Sequence, residues 1–120
     1  MAGLTRRSMH VGEAEVLAYA ELARDFNPLH VDEDFARSTP HGQRIAHGTL
    51  SLNLLWQSIA ATYGLGDIAG RTLEIRFVKP VFLGDTVTAG SAEEETEDGA
   101  LPVWVRNQDG AEVITGFLAS

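Results

Sequence analysis

None of the 120 residues is a cysteine, which excludes disulfide staples, thiolate zinc sites and a cysteine nucleophile and removes any need for an oxidising compartment. Stability must come from packing. Basic residues are scarce too: nine Lys plus Arg stand against 17 Asp plus Glu, for a net charge of −8. That balance disfavours a nucleic-acid role, because phosphate binding needs a basic patch. It also offers no global attraction to an anionic ligand, which would depend on locally placed cations. Arg71, Arg76, Lys79 and Arg106 are the candidates, although each by itself reads more readily as part of a solvated strand face. Long hydrophobic runs are missing as well. The longest apolar stretch, residues 49–63, falls short of the roughly 20 residues of a membrane span and contains Ser51, Asn53, Gln57 and Ser58. The first ten residues carry arginines with no apolar run behind them, unlike a secretory signal, so the cytoplasm is the expected location.

What is present is ordinary for a globular protein: 44% hydrophobic and 22% charged residues. The length suits one domain spanning residues 1–120, small enough that oligomerisation would help to bury its apolar surface. Residues 13–23 place apolar side chains at positions 16, 17, 20 and 23, close to helical spacing, with Glu13 and Glu15 in the first turn where carboxylates are favoured. A short helical turn is expected at 32–36 and an irregular connection, with Pro40 and Gly42, at 38–44. Residues 48–63 are apolar on most sides, as in a helix enclosed by other structure, and Gly64 and Gly66 supply an end.

From Arg71 onward the period becomes that of strands. Leu73, Ile75 and Phe77 alternate with Glu74, Arg76 and Val78 until Pro80 interrupts. Further strands are expected at 86–95, 101–107 and 112–118, joined by Asp98-Gly99 and Asp109-Gly110, dipeptides suited to antiparallel hairpins. The second half therefore predicts an antiparallel meander curled around the long helix, an α+β arrangement.

Two segments carry the chemistry. Asp25-Phe26-Asn27-Pro28-Leu29-His30 holds a carboxylate and an imidazole five positions apart, which cannot share one helical face. They converge only if the backbone turns, and Asn27-Pro28 supplies the means: proline restricts its own φ and its neighbour's conformation, while asparagine bonds back to the local backbone. The expectation is an ordered loop presenting both groups. Downstream, Ile45-Ala46-His47-Gly48 opens the apolar helix, where free N–H groups and the positive end of the helix dipole suit a developing oxyanion.

These two motifs, with Thr49-Leu50 following the second and Phe77-Val78-Lys79-Pro80-Val81-Phe82-Leu83-Gly84-Asp85 further on, stand in the order and spacing of MaoC-like dehydratases. The chain resembles the (R)-specific enoyl-CoA hydratases of that family. The resemblance implies a hot-dog fold, in which a curved antiparallel sheet wraps a helix, and reversible hydration of an enoyl thioester linked to coenzyme A or a carrier protein. It implies Asp25 and His30 as the catalytic acid/base pair and Gly48 N–H as the contact to the thioester oxygen. Asn27, His47, Thr49 and Leu52, which flank these positions, are expected to border the substrate, although Asn27 by its own chemistry reads as a turn stabiliser and His47 as orienting the loop. No cofactor is implied. At least a homodimer is, with strands joined into a longer sheet and the pantetheine arm near the subunit interface.

One departure stands out: the family commonly has glycine before the aspartate, and this chain has Arg24. Three readings stay open: the cation lies near Asp25 and weakens it as a base, it points away, or it meets a second carboxylate on the substrate. No histidine spacing matches a metal-ligand motif, so none is assigned. His10 and His41 have no partner in sequence, and Gly84-Asp85 reads as a turn. The rivals to the hydratase are a hot-dog thioesterase, with an acidic residue placed differently, and a noncatalytic acyl-binding or partner subunit that keeps the scaffold.

Overall fold

The computed structural model describes residues 3–119. Its elements run β1 (Arg7–His10), α1 (Glu13–Ala23), α2 (Pro28–Val31), α3 (Glu33–Arg37), α4 (Gly48–Tyr63), a 3-10 turn (Leu65–Asp67), β2 (Thr72–Phe77), β3 (Thr86–Ser91), β4 (Leu101–Arg106) and β5 (Glu112–Ala119). The two long helices have the limits that the sequence pattern predicts. Gly12 starts α1, its N–H donating to Glu15 Oε1 at 3.0 Å. Gly64 ends α4 with φ +83°, a conformation glycine adopts without a Cβ penalty. Only Val16 and Ala20 of α1 are buried, however, and Leu17 stays 44% exposed.

All strand pairings are antiparallel, and the order across the sheet is β1-β3-β4-β5-β2. The two Asp-Gly turns, with Gly99 and Gly110 at positive φ, join β3 to β4 and β4 to β5 as predicted. The expected meander covers only those three strands. β2 crosses to the far edge and pairs with β5, in the register Leu73↔Leu118, Ile75↔Gly116 and Phe77↔Ile114. The cause lies in residues 78–85, which contain Pro80 and run past the start of α4, where Phe82 bridges Ile45, so no tight turn folds β3 back onto β2. Two strands also differ from expectation in extent. β3 stops at Ser91, short of the acidic Glu93-Glu94-Glu95. β1 has no counterpart in the sequence pattern, because a four-residue edge strand with three exposed side chains leaves no period-two trace.

α4 buries Leu54, Leu55 and Ile59 against Val87, Ala89, Val103, Val105, Val113, Ile114 and Leu118 of the sheet. Each such side chain contributes on the order of 1.5–3 kcal/mol. The helix is less enclosed than its composition suggests, since Thr49, Asn53, Gln57 and Ala61 form an open stripe. A central helix against a five-stranded antiparallel sheet is the hot-dog arrangement, α+β in class, and it leaves the first turn of α4 accessible beside the β2 edge.

Candidate active site

Ala23 ends α1, and Arg24 follows in the left-handed region with φ 55° and ψ 41°. This turns the chain so that Asp25 N–H reaches back to Ala20 O at 2.9 Å. Asn27 Oδ1 then accepts from Leu29 N–H at 3.0 Å while Pro28 occupies the first helical position, a combination that starts a helix. The expected loop is therefore a single helical turn, α2, and His30 sits in it. The left-handed geometry also explains the family's usual glycine at position 24. Arg24 is exposed, and among the described residues it makes no ion pair with Asp25.

Asp25, His30 and His47 each present a ligand-type atom within 4.8 Å of the others. Asp25 is about half exposed at 51% of its side chain, His30 half-buried and His47 buried. Hydrogen bonding fixes the tautomers. His30 Nδ1 lies 2.8 Å from Ile45 O, and since a carbonyl only accepts, Nδ1 carries the hydrogen and neutral His30 keeps a lone pair on Nε2. His47 Nε2 is 2.9 Å from the Asp25 backbone oxygen and so donates there. That leaves the Asp25 carboxylate and His30 Nε2 as acceptors, a set able to take the two hydrogens of one water.

The sequence pairs Asp25 with His30, and the structure adds His47 to the cluster from the residue before α4. Its donor set favours water over a cation: His47 Nε2 points a hydrogen at a carbonyl rather than a lone pair at the common space. Arg44, which the sequence did not single out, supports the same turn. It is 9% exposed, donates through Nε to His30 O at 2.8 Å and pairs with Glu13 at 3.1 Å. Contacts spanning 14 and 31 positions leave no local signal.

Gly48 is the first residue of α4, and its N–H has no acceptor within the helix. It borders a cleft of about 260 Å³ lined by Ile45, Ala46, Ser51, Val81 and the 77–80 segment, with Val113 and Ile114 of β5 behind. Lys79 stands at this cleft, the one of the four candidate cations that does. Arg71 stacks on Tyr63 at 4.0 Å, Arg106 stacks on Trp104 at 3.8 Å and pairs with Glu112, and Arg76 is exposed along the β2 edge. Of the residues expected to border substrate, Asn27 caps α2, Thr49 accepts a hydrogen bond from Tyr19 at 2.6 Å, and Leu52 packs against the core away from the cleft. Ser51, one turn after Gly48, lines the cleft in its place.

The family model of the MaoC like domain matches residues 2–113. The chain belongs to the MaoC-like domain family. Over 117 residues, 92% of this chain and 86% of the relative, it is 38% identical to an (R)-specific enoyl-CoA hydratase of Aeromonas caviae. It is 37% identical over 79 residues to a 3-hydroxybutyryl-CoA dehydratase of Methylorubrum extorquens, a match covering 64% of this chain and 49% of that protein. The MaoC-like chain superposes on the solved structure of an (R)-hydratase from A. caviae with a TM-score of 0.79 and 34% identity, covering 98% of this chain and 93% of the other. The unliganded R-hydratase PhaJ1 of Pseudomonas aeruginosa gives the same TM-score at 27% identity, covering 98% of this chain and 78% of that one.

Proposed function

We propose that this protein is a hydro-lyase that adds water reversibly across the C2–C3 double bond of an enoyl thioester, giving the 3-hydroxyacyl thioester, with its residues working as one domain. The observation that carries this reading is the convergence of the Asp25 carboxylate and the His30 ring, with His47, each offering an atom within 4.8 Å of the others, next to the start of α4. A water held by both has its oxygen lone pair free for C3. As the C–O bond forms, one of the pair takes a proton from the water and a proton passes from the pair to C2, leaving the enzyme unchanged. Acid/base assistance of this kind is worth about 10²- to 10⁴-fold. The charge that gathers on the thioester oxygen meets Gly48 N–H at the positive end of α4.

The carrier, coenzyme A or a carrier protein, is anionic in either case, and Lys79 is the cation at the cleft. A homodimer belongs to the same proposal. β2 is an edge strand with Phe77 53%, Val78 45% and neighbouring Phe117 48% exposed, and pairing with a second copy would cover both its free backbone groups and those side chains. No helix among the described residues is long and apolar enough to cross a membrane. The proposed setting is the cytoplasm, which suits a chain with no cysteine to oxidise.

The test follows loss of the conjugated double bond and release of free thiol in parallel on a short trans-2-enoyl-CoA. Loss of the double bond without thiol release, abolished in Asp25→Asn and His30→Ala, is the expected result. Thiol release would mark a thioesterase, and ligand binding without turnover a noncatalytic acyl-binding subunit.

A further inference from the structure

His47 stands at the N-cap of α4 yet makes no side-chain bond to that helix's amides. Its ring is 3% exposed and turned toward the α1–α2 connection. Nε2 lies 2.9 Å from the Asp25 backbone oxygen and 4.0 Å from its Oδ2. The ring centroid is 3.9 Å from that of His30, with the planes 31° apart, and Tyr19 closes on the ring at 5.1 Å. With the hydrogen on Nε2, the neutral ring leaves Nδ1 as a buried nitrogen that has no hydrogen-bond partner among the described residues. A buried unpaired nitrogen costs stability. An apolar side chain would avoid that cost, so the fold itself gives no reason for an imidazole here. The reasons lie at the other nitrogen and on the ring face.

We propose that His47 is a positioning residue for the Asp25–His30 pair: its Nε2–H clamps the Asp25 backbone and its ring face holds the plane of His30. The proposal rests on the hydratase reading and extends it to how the site keeps its geometry. Asp25 needs such a clamp because it follows a left-handed residue, is about half exposed, and among the described residues bonds through its carboxylate only to Asn27 N–H at a long 3.3 Å. His30 needs the face because its single ring bond, Nδ1 to Ile45 O, leaves the imidazole free to tilt about that bond. Since Gly48 is the next residue, one side chain fixes the dyad relative to the oxyanion N–H.

The two contacts can be separated. His47→Gln keeps an N–H donor and loses the ring, His47→Phe keeps a ring and loses the donor, and His47→Ala loses both. Each is assayed for hydration of a short trans-2-enoyl-CoA beside wild type, with thermal unfolding and with amide hydrogen exchange at Asp25 and His30. A displacement near 1 Å at a reacting group costs about 10²-fold. His47→Ala is therefore expected to lose about 10- to 100-fold in kcat, with KM within about threefold, and to exchange both amides faster, whereas His47→Phe is expected to lose kcat while exchanging faster at Asp25 alone. His47→Gln is expected to recover at least about tenfold in kcat over His47→Ala and to restore Asp25 protection. Equal kcat in the Gln and Ala variants, a loss confined to KM, or unchanged exchange at Asp25 would overturn the proposal. If the Phe variant fails to fold, the Gln and Ala comparison decides. A wild type that leaves enoyl thioesters unhydrated would sink the hydratase reading instead, and the exchange data would then judge the clamp by themselves.

Discussion

Phe77 lies over Gly48: a Cβ built on Gly48 would stand 2.9 Å from Phe77 Cε1 and 3.2 Å from Cδ1. Gly48 has ordinary helical backbone angles, so alanine there brings no dihedral strain, and Phe77 is 53% exposed and free to swing aside. The Gly48→Ala protein should fold with a stability loss of about 1 kcal/mol or less. The methyl group and the displaced ring would crowd the helix N-terminus, so kcat/KM should fall about 10²-fold, the scale of losing one oxyanion donor. Urea unfolding and steady-state kinetics on the same preparation check both halves.

Arg24 is the only residue other than glycine with positive φ among the described residues. A side chain in this conformation costs roughly 1 kcal/mol, and glycine returns part of that in unfolded-chain entropy. Arg24→Gly should raise stability by about 0.5 kcal/mol in urea unfolding. If Arg24 served only as a helix end, kcat/KM for monocarboxylic and dicarboxylic acyl thioesters would stay in the wild-type ratio. A changed ratio would show that Arg24 reads the second carboxylate.

Two buried serines on α4 should respond in opposite ways. Ser58 Oγ donates to Thr5 O, whereas Ser51 Oγ is buried at the cleft without a partner among the described residues. Ser58→Ala leaves the Thr5 carbonyl unsatisfied and should cost about 1–2 kcal/mol; Ser51→Ala removes an unpaired hydroxyl and should be neutral or stabilising. Equal losses in the two variants would show that Ser51 has a hydrogen-bond partner after all.

Arg44 joins His30 O to Glu13 with different nitrogens of one planar group. Arg44→Lys keeps the charge but cannot make both contacts in that geometry. It should lose about 1.5–3 kcal/mol, the range for hydrogen bonds to charged groups, and should lower kcat by loosening α2. Calorimetry together with kinetics tests the link, and a lysine variant with wild-type melting and turnover would break it.

Local punctuation made much of this molecule legible. Glu13 and Glu15 in a first turn and Gly64 past a last one mark helices whose limits follow from apolar spacing, and Asp98-Gly99 and Asp109-Gly110 announce the hairpins. The carboxylate, imidazole and glycine of the site could be named because they lie in two short motifs. What stayed hidden depends on contacts distant in sequence. The place of β2 follows from its register with β5, and β1 is too short and polar to show a period. The bond from His47 to the Asp25 carbonyl spans 22 positions, and that from Arg44 to the His30 carbonyl spans 14. Leu52 and Ser51 differ by one position on α4, and only the rotation of the helix against the sheet decides which of them meets the cleft.

The far-edge place of β2 also dictates when the cleft can exist. Phe77 pairs with Ile114, and Val78 N–H bonds to Val113 O, partners made more than thirty residues later during synthesis. The wall behind Gly48 is thus completed by a segment translated well after α4 and the Asp25–His30 segment. Closing that long loop is slow relative to hairpin formation. Until it closes, the nascent chain carries Asp25 and His30 beside an unwalled Gly48, and the exposed β2 edge is the surface at which a stalled or truncated chain would first stick to another.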